Sequence, residues 1–190
     1  ISRERLGNPP LAHRVETVEL SRRTLCEADV REALVEAGKL RAQYEAKQRE
    51  LDEHPEKRQE TRWYVPLTHC YRQMKWYEGV EKRYALERTQ PRLPVEVHVL
   101  RVGDAVLATN PFEYYVDFGT RIKARSPAAQ TFLVQLTGAG TYVPTERAIA
   151  GKSYGAVPAS TPVGPQGGQE LVEWTVAAIE GLWAEKGARA

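Results

Sequence analysis

VEVHVLRVGDAVLATNPFEYYVDFGTRIKARSPAAQTFLVQL, residues 95–136, is the stretch whose reading decides the fold. Val95 to Val99 alternate apolar and polar side chains with the period of a half-buried strand, Gly103-Asp104 marks a tight turn, and AVLAT continues as an apolar strand. The spacing then predicts a helix from Pro111 to about Arg125 and a return strand at TFLVQL. A hairpin followed by strand, helix and strand makes a β-α-β unit, and hence an α/β (α+β) fold with a mixed sheet and flanking helices.

Towards the amino terminus the texture is different. Residues 1–14 are polar and contain Pro9 and Pro10, which reads as an extended arm, and VETVEL at 15–20 is a short strand candidate. Thr24 followed by Glu27 has the form of a capping box. From there Val30, Leu34, Ala37, Leu40, Tyr44 and Leu51 recur at helical spacing, so a long helix is expected to about residue 53. Pro55 and a dense run of charge interrupt it, and a second stripe follows at Leu67, Tyr71, Met74, Tyr77 and Tyr84. Two amphipathic helices across a charged turn predict a helical hairpin over 25–90, each helix burying the stripe the other needs. The organisation expected is therefore an arm and short strand at 1–24, the hairpin at 25–90, and the β-α-β part at 91–190. Beyond the return strand the chain is rich in Gly and Pro up to Gly168, and a last helix is expected from about Gln166 to Trp183.

Composition excludes little but narrows the classes. Lys and Arg number 27 against 25 Asp and Glu, and they are interspersed, so no nucleic-acid footprint or polybasic membrane patch stands out in the 190 residues. No apolar run approaches the roughly 20 residues of a membrane span. Cys26 and Cys70 have no CxxC or Cys/His cluster around them and read as ordinary thiols. The chain opens on Ile1 without a basic and apolar leader, which leads us to expect an internal piece of a longer polypeptide.

Two residues could carry chemistry. Glu113 follows Asn110-Pro111, where Asn is a good helix cap, Pro a good first helical residue and Glu a third-position carboxylate. The alternative is that a carboxylate at the carboxyl end of a strand faces the crevice in which α/β sheets bind ligands. Tyr142 lies in TGAGTYVPTE, a Gly-containing loop after the return strand; it is either a packing tyrosine or a ligand on a loop whose glycines permit close approach.

The phrases ATNPFEYYVDFGTRIKARSP, QTFLVQLTGAGTYVPTE and VGPQGGQ, taken in order, resemble the second half of the catalytic domain of neutral/alkaline non-lysosomal ceramidases and their bacterial relatives. The likeness covers about residues 92–183 and is thin over the hairpin. In that family a Glu just after a strand and a Tyr about thirty positions later are two of four zinc ligands, the others being histidines from earlier in the domain. Glu113 and Tyr142, 29 positions apart, stand at the matching places. The resemblance therefore implies that 91–190 is the metal-site half of a ceramidase-like domain, with zinc as cofactor and hydrolysis of the amide of an N-acylated amphiphile as the reaction. It further implies an upstream half of the same protein carrying the histidines, a location outside the cytoplasm, and Tyr154 in GKSYGA as an aromatic at the substrate.

The family's His-x-His phrase is absent. His13, His54, His69 and His98 show no ligand spacing, and His98, alternating with Val97 and Val99, is expected on the polar side of its strand. This chain alone is therefore not expected to be a competent enzyme. The run VGPQGGQ could offer free amides to an anion at the start of the last helix, although Gly and Pro there also suit a turn. Gly138-x-Gly140 after a strand hints at a nucleotide fingerprint, but Val143-Pro144 keeps the chain extended where that fingerprint needs a helix. A non-catalytic binding or scaffold domain of the same fold is the remaining alternative.

Overall fold

The computed structural model describes residues 7–184 and shows an α+β fold in two units. In the first unit four strands, Leu11–Ser21, Arg92–Val102, Ala105–Thr109 and Gln130–Val134, neighbour one another in that order in a mixed sheet. Strand β1 (Leu11–Ser21) runs antiparallel to β2 (Arg92–Val102), in register from Leu11 opposite Val102 to Ser21 opposite Arg92. A turn at Gly103, whose φ of 63° suits glycine, leads to β3 (Ala105–Thr109). The chain crosses over through α3 (Val116–Arg125) to β5 (Gln130–Val134), parallel to β3, as the β-α-β reading expects. Two short strands, β4 (Glu113–Tyr114) and β6 (Tyr142–Val143), pair in parallel beyond the sheet. Helix α4 (Glu146–Ala150) and the long α5 (Pro165–Ala184) complete the unit.

The core lies on one face of the sheet. Val95, Val97, Val99 and Val106 point from the strands at Phe118 and Ile122 of α3 and at Leu171, Val172, Val176 and Ile179 of α5, all buried. Their period of two on the strands and of three to four on the helices is what allows the two layers to meet. Arg101 also points inward, only 2% exposed. Its guanidinium donates to Gly103 O at 2.9 Å and to Leu182 O at 2.6 Å and lies 3.7 Å from the centre of the Trp183 ring. The buried charge is thus offset by the Gly103 turn carbonyl, by the Leu182 carbonyl at the negative end of α5 and by an aromatic face.

Several expectations need correction. Residues 11–14 are not an arm, because β1 begins at Leu11 and pairs residue for residue with the full length of β2; the first six residues of the expected arm lie outside the described residues. The helix expected from Pro111 begins only at Val116. Asn110 is buried and its side-chain oxygen accepts the Phe112 N–H at 2.9 Å, while its own N–H donates to Val134 O at 3.0 Å. Those bonds hold the backbone extended, so Glu113 is a strand residue and not the third residue of a helix.

The second unit comprises residues 24–90 with the single turn Pro158–Ser160. Its helices α1 (Glu27–Glu53) and α2 (Tyr64–Glu87) form the expected antiparallel hairpin, with a short helical turn at Pro55–Gln59 between them. The seam buries Ala33, Ala37 and Leu51 against Cys70, Met74 and Val80, with Tyr44 and Tyr71 rings 5.6 Å apart. Ala33 takes the place expected for Leu34, which is left 41% exposed; the small side chain lets the helices approach closely. The helix cap also shifts, since Asp29 and not Glu27 accepts the cap amide, that of Cys26, at 2.8 Å. Leu25 N–H is already taken by the Glu87 carboxylate at 3.0 Å.

Candidate metal centre

Glu113 and Tyr142 are brought side by side. They are register partners on β4 and β6, and the next pair along is Tyr114 with Val143. Because side chains alternate along a strand, Tyr114 and Val143 turn into the core, 8% and 0% exposed, while Glu113 and Tyr142 turn the other way and are half-buried. Backbone bonds fix this pairing: Glu113 N–H donates to Thr141 O at 3.0 Å and Tyr115 N–H to Val143 O at 3.3 Å. The Glu113 carboxylate beside the Tyr142 phenol, with some burial, holds the phenol above its usual range.

Two glycines make the approach possible. A Cβ on Gly140 would fall 1.6 Å from Pro111 O, so only glycine lets the 138–142 loop cross the Pro111 backbone. Gly155 has φ of +78° and lies under the Tyr142 ring, where a Cβ would come within 2.7 Å. The ring is framed edge-on by Tyr115 at 6.5 Å and Tyr154 at 5.8 Å between centroids. Tyr115 donates its hydroxyl to Tyr154 O, and burial pushes its phenol up. Tyr154, the expected substrate aromatic, is therefore at the pair, with its side chain 87% exposed. One residue before Tyr142, the buried Thr141 hydroxyl has no hydrogen-bond partner among the described residues.

The donor chemistry fits two positions of a zinc site. A carboxylate and a phenol, both oxygen donors, stand side by side as register partners. Among the described residues no group of three or more His, Cys, Asp or Glu side chains could hold a metal ion.

The histidines hold one surprise. His13 and His98, 85 positions apart, meet across β1 and β2 with Nε2 and Nδ1 3.0 Å apart and ring planes 4° from parallel. Sequence reading missed this pairing because His13 was placed in an arm; extending β1 to Leu11 puts both on the same face. His98 also reaches Glu96, at 3.3 Å. His54 and His69 lie in the hairpin unit.

The remaining candidates are structural. In VGPQGGQ, a Cβ on Gly167 would lie 2.4 Å from Ser21 O and one on Gly168 2.6 Å from the Phe118 ring, so these glycines serve close packing of α5. At the end of α3, where basic residues suit the negative helix end, Arg121 donates to the Gln169 side chain, and Arg125 grips Glu173 with two bonds of 2.8 and 2.7 Å. No helix of the described residues is long and apolar enough to cross a membrane. Comparison with known protein families, curated proteins and solved structures finds no match to this chain.

Proposed function

We propose that this chain supplies the Glu113 and Tyr142 side of a zinc-dependent amide hydrolase of ceramidase type, acting outside the cytoplasm on an N-acylated amphiphile. Two histidines from an upstream half of the same protein complete the ligand set. The observation that carries the reading is the register pairing of Glu113 with Tyr142, which sets carboxylate and phenol side by side on the same face of β4 and β6. Neither residue needs that arrangement for packing, since Tyr114 and Val143 fill the core side of the same two strands.

Zinc, when bound, supplies Lewis acidity towards a water and towards the amide carbonyl. Glu113 contributes the negative charge that offsets part of the cation's charge. Tyr142 would hold the cation through its phenolic oxygen, with its proton passing to solvent, and Tyr115 and Tyr154 frame its ring edge-on beside Glu113. The exposed face of Tyr154 offers an apolar wall to an acyl or sphingoid chain arriving from solvent. No nucleic acid takes part, in keeping with the near balance of charge.

The test compares two preparations. The 190-residue chain, with two of four ligands, should bind zinc weakly and release no fatty acid from an N-acyl sphingosine, whereas the natural polypeptide with its upstream part should hold one zinc and hydrolyse it. Amidase activity in the short chain would overturn the division of ligands. Absence of zinc from the longer polypeptide would favour the non-catalytic binding or scaffold reading, which the lack of a three-ligand cluster among the described residues also allows.

A further inference from the structure

The β1-β2 register sets His13 opposite Leu100 and Val15 opposite His98, so the two histidines are diagonal neighbours on one face of the sheet. That face is the reverse of the one from which Val97 and Val99 enter the core. A slip of one residue would put the two rings on opposite faces. As paired, the ring planes lie 4° from parallel and His13 Nε2 stands 3.0 Å from His98 Nδ1. The other nitrogen of His98, Nε2, is 3.3 Å from the Glu96 carboxylate. An ionised carboxylate only accepts, so Nε2 carries the His98 proton and Nδ1 turns its lone pair towards His13.

The geometry points to a binding site for a divalent transition-metal ion of the kind that prefers imidazole, Cu²⁺ above all, held between His13 Nε2 and His98 Nδ1. Two nitrogens about 2.1 Å from one ion are about 3.0 Å apart at a right angle and about 3.4 Å apart at the tetrahedral angle. The separation of 3.0 Å therefore suits neighbouring corners of a tetragonal ion. Cu²⁺ and Ni²⁺ take that geometry, and copper leads the affinity order for such donors. Glu96 stands behind His98 as a carboxylate does behind a ligand histidine, fixing its tautomer and raising its basicity. His13 is exposed, so its ring is free to swing its lone pair onto the ion while its proton passes from Nε2 to Nδ1 through solvent.

Among the described residues no further His, Cys, Asp or Glu completes a group of ligands, so water fills the remaining positions and the ion exchanges with solvent. Room for it is present in an open hollow of about 630 Å³ beside both rings, walled by Leu11, Leu100, Leu107 and Val134. The consequence for the fold is a clip. β1 is an edge strand, and an ion shared by the two histidines ties it to β2. An ion that binds only the folded chain raises its stability as the free concentration exceeds the Kd. The site uses neither Glu113 nor Tyr142, so it is independent of the zinc reading.

The test titrates the 190-residue chain with Cu²⁺ alone, after His54→Ala and His69→Ala have left this pair as its remaining histidines. Calorimetry should show one ion taken up per chain at micromolar concentration, with Zn²⁺ bound more weakly and a Tm that climbs with copper. Electron paramagnetic resonance of the bound ion should show two nitrogen ligands, a readout that needs no change at the site. Glu96→Ala should lower the affinity roughly tenfold, the usual worth of a carboxylate behind a ligand histidine, and His13→Gln, which removes a ligand at an exposed position, by more. A spectrum with a single nitrogen ligand, or an affinity that His13→Gln leaves unchanged, would overturn the site and leave a hydrogen-bonded pair that serves the sheet alone.

Discussion

At the residue scale, the register pair Glu113 and Tyr142 makes separable expectations for the metal and structural roles. Tyr142→Phe deletes one oxygen and Glu113→Gln removes one charge, and neither changes the fill of the core. Each should cost at most about 1 kcal/mol of stability, the worth of one ordinary hydrogen bond. In the polypeptide that binds zinc, each should sharply lower metal content and turnover; unchanged metal content beside a modest drop in Tm would mark both as structural. The phenol offers a second reading. Its folded value is raised beside the Glu113 carboxylate, so the stability it contributes is present while the phenol is protonated and is lost as the pH rises above the ordinary 10.0 and through the folded value. Ultraviolet titration of the metal-free chain should show Tyr142 ionising late, and Glu113→Gln should bring it back towards the ordinary value. Gly140 is the other decisive residue. A methyl group 1.6 Å from Pro111 O cannot be accommodated without moving backbone, so Gly140→Ala should cost roughly 3 kcal/mol or more in denaturant melts, in the range of severe backbone clashes.

At the scale of elements, α5 is tied to the β1-β2 end of the sheet through Glu170. Its carboxylate accepts the Ser21 hydroxyl at 2.6 Å and the Ser21 N–H at 2.7 Å, and Arg92 approaches at 3.0 Å. Burial alone would raise this carboxyl, but the Ser21 bonds and the Arg92 charge together hold it below its ordinary 4.5. A depressed carboxyl contributes stability that is present above the unfolded value and lost as the pH falls through the folded one. The chain should therefore lose stability below about pH 4.5, and Glu170→Gln should flatten that part of the Tm against pH curve. In the hairpin, the turn is held by Lys57 to Glu50 at 2.6 Å and Arg58 to Asp52 at 2.7 Å, both pairs exposed and hence weak. Limited trypsin digestion should cut first between Asp52 and Arg62, where Arg62 adopts φ of 62°; early cleavage within 95–136 would contradict the layout.

At the scale of the whole molecule, the hairpin is an insertion between two adjacent antiparallel strands. Ser21 pairs with Arg92, and Arg22 N–H donates to Pro91 O at 2.9 Å, so the chain leaves and re-enters the sheet at neighbouring points. Replacing 25–89 by a short turn should therefore leave β1 and β2 paired and the sheet unit folded. Circular dichroism should show the loss of most helix with the strand signal retained, and loss of both would show that the sheet depends on the hairpin.

Local pattern was enough for most elements. Alternation in VEVHV, the Gly103 turn, the stripes of α1 and α2 and the crossover to TFLVQL are short-range signals, because side-chain period and turn chemistry are properties of neighbouring residues. The start of α3 was not legible that way: Asn110-Pro111-x-Glu113 satisfies every local rule for a helix start, yet Asn110 spends its side chain on Phe112 and its backbone on Val134. Whether a cap caps depends on what else competes for its hydrogen bonds, and β5 is twenty residues away. The meeting of His13 with His98 and the inward turn of Ala33 for Leu34 were likewise invisible, since each depends on strand register or helix approach. By itself the sequence determined the α+β class, the hairpin and the candidacy of Glu113 and Tyr142. Only the tertiary structure decided that the two residues stand side by side, because a register between strands 29 residues apart is set by the packing of Tyr114 and Val143 beneath them and by the glycines that let the loops cross.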